Sequence, residues 1–132
     1  MRKASLVLAI LVFCTSAGWA ADDAVATKFD SFCAEWIKKL EVRERDNRAA
    51  IHWKAGTDGV QGDFVGYSHE HRCQLKPALG PGSTPIGKII YTEMVYRQAG
   101  KSTAEALKVE PRAVDATEVT EIFRYSAGKW VY

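Results

Sequence analysis

The stretch FDSFCAEWIKKL, residues 29–40, constrains the fold more than any other part of the chain. Phe29, Phe32, Cys33, Trp36, Ile37 and Leu40 recur at i, i+3, i+4, i+7, i+8 and i+11, the spacing that lines one face of an α-helix. Cys33 sits inside this apolar stripe, and the only other cysteine beyond the N-terminal leader is Cys73. The helix is therefore also the place where the fold is expected to be stapled.

Residues 1–20 read as a secretory signal. Arg2 and Lys3 form a positive start and Leu6–Phe13 an apolar run of eight residues. Gly18-Trp19-Ala20 then places small residues where a signal peptidase inspects the chain, so cleavage is expected after Ala20. An apolar run this short does not span a bilayer, which takes about 20 residues, and no comparable run occurs later, so no integral membrane span is expected. A competing reading makes Cys14 a lipid-attachment cysteine, but lipidation favours a small residue just before the cysteine and Phe13 is bulky. The expected localisation is periplasmic or extracellular, where two remaining cysteines pair by default, so Cys33–Cys73 is the expected disulfide.

Removing the leader also removes Arg2 and Lys3, which leaves 16 basic against 16 acidic residues, formally neutral. With no net positive field and no basic tract, nucleic acid is not an expected partner. Residues 21–132 suit a single α+β domain, small enough for a covalent staple to matter.

The long helix is predicted from the early twenties to a stop near Asp46-Asn47. Glu35–Lys39, Glu41–Arg45 and Glu44–Arg48 are acid-first i, i+4 pairs on a solvated face. The period then changes to about 2. Ala50–Lys54 reads as a short strand and Gly56-Thr57-Asp58-Gly59 as a turn carrying an Asp-Gly pair. A longer strand follows to about Leu75, with Val65, Tyr67, His69, His71, Cys73 and Leu75 on one face. If Cys73 bonds the helix, that face is covered, and His69 and His71 point inward.

Lys76–Pro85 is a Pro- and Gly-rich loop. A strand over residues 87–98 has apolar groups on both faces, as a central strand does, with Glu93 among them. Ser102-Thr103-Ala104-Glu105 resembles a capping box opening a short helix that ends before Pro111. A final hairpin turns at Ala127-Gly128 and closes with Trp130, Val131 and Tyr132. The predicted fold is α+β: one long N-terminal helix on a curved antiparallel sheet of four to five strands. This arrangement resembles the cystatin-like and NTF2-like rolls, and the ending EIFRYSAGKWVY is similar to the terminal hairpin of NTF2-like domains. A small enzyme with an NTF2-like pocket is the activity that resemblance would imply.

The constellation that bears on chemistry is His69-Glu70-His71-Arg72-Cys73. Histidines at i, i+2 on a strand point the same way, so His69 and His71 are candidate ligands for Cu or Zn in a metal-binding accessory protein. The bland reading has them as half-buried polar groups. His52 is expected far from them, and Glu93 approaches only in one of two registers. No nucleophile elbow, phosphate-cradling loop or dinucleotide fingerprint is present, so no catalytic residue and no cofactor is implied. The favoured reading is a non-catalytic ligand-binding or protein-interaction module of the cell envelope, its partner an unidentified small molecule or envelope protein. Its expected pocket lies near Tyr67, His69, His71, Tyr91 and Glu93.

Overall fold

The computed structural model describes residues 17–132. The leader run and Cys14 lie outside the described residues. In chain order the elements are α1 (Ala17–Ala49), β1 (Lys54–Gly56), β2 (Gly59–Lys76), β3 (Ile86–Gly100), α2 (Thr103–Ala106), β4 (Arg112–Ser126) and β5 (Lys129–Val131). The strands form one antiparallel sheet in the order β1-β2-β3-β4-β5. It curls into a half-barrel with α1 packed against it, as the sequence predicts. Among the described residues, no helix is long and apolar enough to cross a membrane.

The apolar stripe of α1 supplies one side of the core. Phe29, Cys33 and Leu40 are buried with Tyr67, Ile89, Tyr91, Phe123 and Trp130. The rings of Phe29 and Trp130 lie 4.8 Å apart, Phe32 and Phe123 4.7 Å, and Trp36 and Phe123 5.0 Å. Each such side chain contributes about 1.5–3 kcal/mol through burial, so this cluster is the main attachment of helix to sheet. Gly87 of β3 permits it, because a Cβ there would run into the Phe29 ring. At the sheet's far end Ala127 (φ 48°) and Gly128 (φ 79°) both lie in the left-handed region, the backbone of a type I′ hairpin turn. That turn returns β5 so that Trp130 reaches the core.

The β2–β3 ladder breaks once. Tyr67 pairs with Glu93 and His71 with Tyr91, so Ser68, Glu70 and the residue between them stand opposite the single Thr92. Ser68 bridges the gap, since its Oγ donates to Glu70 O (2.8 Å) and accepts from Thr92 N (3.4 Å). The extra residues keep the alternation in phase, so Tyr67, His71, Cys73 and Leu75 share the concave side.

Three local expectations are corrected. Residues 50–53 form no strand; β1 is only Lys54–Gly56, and its hairpin turns at Thr57-Asp58, with Gly56 opposite Gly59. Ile51 and Trp53 instead lie over Gly62, where a Cβ would meet both side chains. None of the three i, i+4 pairs forms an ion pair, and Glu44 and Arg48 turn toward β2 instead. The capping box forms in altered form: Ser102 Oγ accepts from Glu105 N (3.2 Å), while the Glu105 carboxylate reaches Lys101 N rather than Ser102 N. Buried Gln98 fastens this turn to β3 by donating to Ala106 O and Val109 O.

Candidate functional site

The disulfide corner is where α1 and β2 meet. Cys33 and Cys73 are bonded across a sequence separation of 40, with Cα atoms 6.4 Å apart. Cys33 is 3% exposed, whereas Cys73 faces solvent. His71, two residues before Cys73, brings a ring nitrogen to within 4.8 Å of both sulfurs. Its Nδ1 lies 3.1 Å from the His69 carbonyl oxygen. A carbonyl only accepts, so Nδ1 is the donor in this contact.

His69 and His71 are both exposed: His71 shares the concave side with Cys73, as alternation predicts, but that stretch of β2 is not covered. The reason is that β1 covers β2 only over residues 59–61. Beyond that, β2 is an edge strand with a neighbour on one side, and segment 68–70 has no ladder partner in β3. The two histidines still line a cleft of about 110 Å³ with Leu40, Glu41, Glu44 and Tyr67. Ligand pockets run to roughly 300–1,000 Å³, so this cleft suits an ion or a few waters rather than an organic ligand.

Of the expected pocket residues, the structure brings Tyr67, His69 and His71 together in that cleft, and His71 with Tyr91 in a second, open depression of about 410 Å³; Glu93 lines neither. Glu93 stands opposite Tyr67 on the concave side, half-buried. Tyr91 belongs to the core, its ring edge-on to Tyr67 at 5.8 Å. Its hydroxyl donates to Glu121 Oε1 (3.0 Å), and burial first, then the Glu121 carboxylate, pushes the Tyr91 hydroxyl well above its ordinary range. The same two causes push Tyr132 up to about 12. The Tyr67 hydroxyl beside the Arg43 guanidinium holds Arg43 above its usual value. His52 is exposed in a separate depression with Asp63 and Arg97. There Arg97 Nε and Nη2 each reach an Asp63 oxygen at 2.8 Å, which lowers the Asp63 carboxyl. The aromatics fill the interior rather than line a mouth, and Tyr96 stacks on buried Phe64.

Sequence reasoning missed the way α1 closes the edge of β2. Glu44 Oε2 accepts from Tyr67 N (2.8 Å), and Asn47 Nδ2 donates to Val65 O (2.9 Å). Arg48 stands over the Phe64 ring at 5.7 Å. These polar groups replace a missing ladder partner. The signal was present, because stepping on from Leu40 by helical spacing gives Glu44 and then Asn47 and Arg48.

The opposite edge has no such cover. Strand β4 runs for 15 residues, yet β5 pairs only with Arg124, Tyr125 and Ser126. Tyr125 N donates to Pro85 O on the β3 side, and Ala116 N to its neighbour Asp115 Oδ1. Alternation then aims the N–H and C=O groups of Glu118, Thr120 and Ile122 outward. Over residues 112–123, among the described residues, no strand pairs with this edge. Comparison with family models, curated proteins and solved structures finds no match to this chain.

Proposed function

We propose that the protein is an exported, non-catalytic interaction module that takes an extended, basic segment of an envelope protein onto the free edge of β4. The observation that carries this reading is the unpaired run from Arg112 to Phe123, long enough for several main-chain hydrogen bonds in the manner of strand addition. The leader sequence and the Cys33–Cys73 bond support export. The filled interior favours a protein partner over a small ligand.

Charge selects the occupant. The edge strand carries Asp115, Glu118 and Glu121 against Arg112, although Arg72 of β2 reaches Glu118 at 3.2 Å and Glu121 accepts from the Tyr91 hydroxyl. In an antiparallel pairing of two copies centred on Glu118, Asp115 would face Glu121 and Glu118 would face itself, which disfavours a second copy. A segment alternating basic with β-branched residues can set its cations on the face of Asp115 and Glu121 and its apolar side chains on the opposite face, where Ile122 is exposed. The other free edge is less suited, since helix side chains close it at Val65 and Tyr67.

The test uses a synthetic decapeptide alternating lysine with valine, followed by fluorescence anisotropy. Binding in the micromolar range that weakens with salt is expected. Of two peptides methylated at alternate backbone nitrogens, one phase binds and the other does not. Thr120→Pro removes an outward N–H without touching the β3 ladder and lowers affinity at least about tenfold, with the fold retained. Equal binding by both methylated phases, or by Thr120→Pro, would refute the reading.

A further inference from the structure

We propose that the disulfide corner is also a metal site that opens on reduction. The Cys33 and Cys73 thiolates and the His71 imidazole hold one thiophilic cation of the Zn²⁺ class, with the fourth position facing the adjoining cleft. Three ligand atoms of the right chemistry already converge: a His71 ring nitrogen and the two sulfurs lie within 4.8 Å of one another. In a tetrahedral site with Zn–S near 2.3 Å, the two sulfurs sit about 3.8 Å apart. The bonded sulfurs therefore need only swing apart by side-chain rotation, while α1 and β2 keep the Cα atoms 6.4 Å apart.

The surroundings suit a cation. His71 Nδ1 donates to the His69 carbonyl, which orients the ring and leaves Nε2 as the nitrogen open to a cation, the arrangement that supports histidine ligands elsewhere. Cys33 is buried, whereas Cys73 and His71 face solvent, so a cation has an entry path. Glu41 and Glu44 line the cleft beside His71 and add negative charge there. The His69 imidazole is no member of the converging group, so the ligand set differs from a His69–His71 pair.

The chemistry balances with a dithiol as reductant. The dithiol gives two electrons and two protons, breaking the Cys33–Cys73 bond and ending as its own disulfide. The two cysteine thiols then release two protons as two metal–sulfur bonds form, and His71 binds neutral. A disulfide sulfur is a poor ligand, so the covalent and metal-bound states exclude each other, and either one fastens α1 to β2.

The test compares the oxidised chain with the chain reduced anaerobically by a phosphine, which avoids competing thiols. Co²⁺ is the spectroscopic probe and Zn²⁺ the competitor. The reduced chain is expected to bind one Co²⁺ with a thiolate-to-metal charge-transfer band that one equivalent of Zn²⁺ bleaches, and the oxidised chain to show no band. His71→Ala keeps the fold, because the side chain is exposed, but alters the visible bands and weakens Co²⁺ at least about tenfold through loss of one of three ligands. His69→Ala leaves both unchanged. If reduction loosens the helix, Zn²⁺ restores its circular dichroism and raises the melting temperature of the reduced chain only. A band in the oxidised chain, no band in the reduced one, no recovery by Zn²⁺ of a loosened reduced chain, or His71→Ala matching the parent would overturn the proposal.

Discussion

Replacing Cys33 and Cys73 together by alanine removes the bond that closes a loop of 40 residues. On the chain-entropy account, a loop of this length restricts the unfolded chain enough to stabilise the fold by about 4 kcal/mol. Little of the folded structure needs to change, because the aromatic contacts of Phe29, Phe32 and Trp36 with Phe123 and Trp130 attach α1 independently. The double variant should therefore fold to the same secondary structure and unfold at a melting temperature lower by roughly 15 °C, the scale for a domain near 100 residues. Urea denaturation followed by tryptophan fluorescence, with linear extrapolation and a chelator present, gives the free energy directly. A loss under about 1 kcal/mol would refute the view that the bond acts on the unfolded chain. Loss of the far-ultraviolet helix signal in the absence of urea would refute the view that the aromatic cluster holds α1 by itself.

At alkaline pH the Tyr91 hydroxyl matters. Its folded value lies above that of the unfolded chain, so its contribution is full below about pH 10 and is lost as the pH rises further; the unfolded chain releases its proton first. Stability should fall above about pH 10 by no more than about 1.4 kcal/mol per pH unit from this group, less where water screens it, and Tyr91→Phe should flatten that slope in urea titrations. An unchanged slope would count against the Glu121 contact. For Asp63, held low by Arg97, the sign is opposite: its contribution is present above about pH 4 and disappears on acidification through the folded value, so Asp63→Asn should lower the melting temperature slightly at neutral pH and by less as the pH falls. Glu44→Ala orphans Tyr67 N and should cost about 1.5 kcal/mol, with Glu44→Gln recovering most of it; a neutral effect of the alanine would mean that water replaces the carboxylate.

The helix stripe, the disulfide, the central strand β3 and the terminal hairpin were all legible because each rests on a local period or on a pair with no rival. Outside the expected leader, Cys33 had only Cys73 to bond, and the Ala127-Gly128 turn is a short-range signal. What depended on strand pairing was less legible. The extra residues at Ser68–Glu70 keep the alternation in phase, so nothing in the pattern betrays them, yet they and the open edge of β2 decide that His69 and His71 meet solvent. The charged end of α1 was read as a solvated face because Glu44 and Arg48 match an i, i+4 pair; the same two residues also continue the buried stripe, and an open sheet edge outweighs a surface ion pair worth a few tenths of a kcal/mol. The free edge of β4 was invisible because β5 reads simply as a hairpin partner, and only the ladder shows that it stops at Arg124.

Amide hydrogen exchange along β4 addresses the strand-addition account most directly. In the chain alone, the outward N–H groups of Glu118, Thr120 and Ile122 should exchange quickly while those of Thr117, Val119 and Glu121, directed at β3, are protected. With the lysine–valine peptide at saturation, the first three should slow by at least about tenfold and the others change little. Protection of Glu118, Thr120 and Ile122 in the chain alone, or no slowing on peptide addition, would contradict the account.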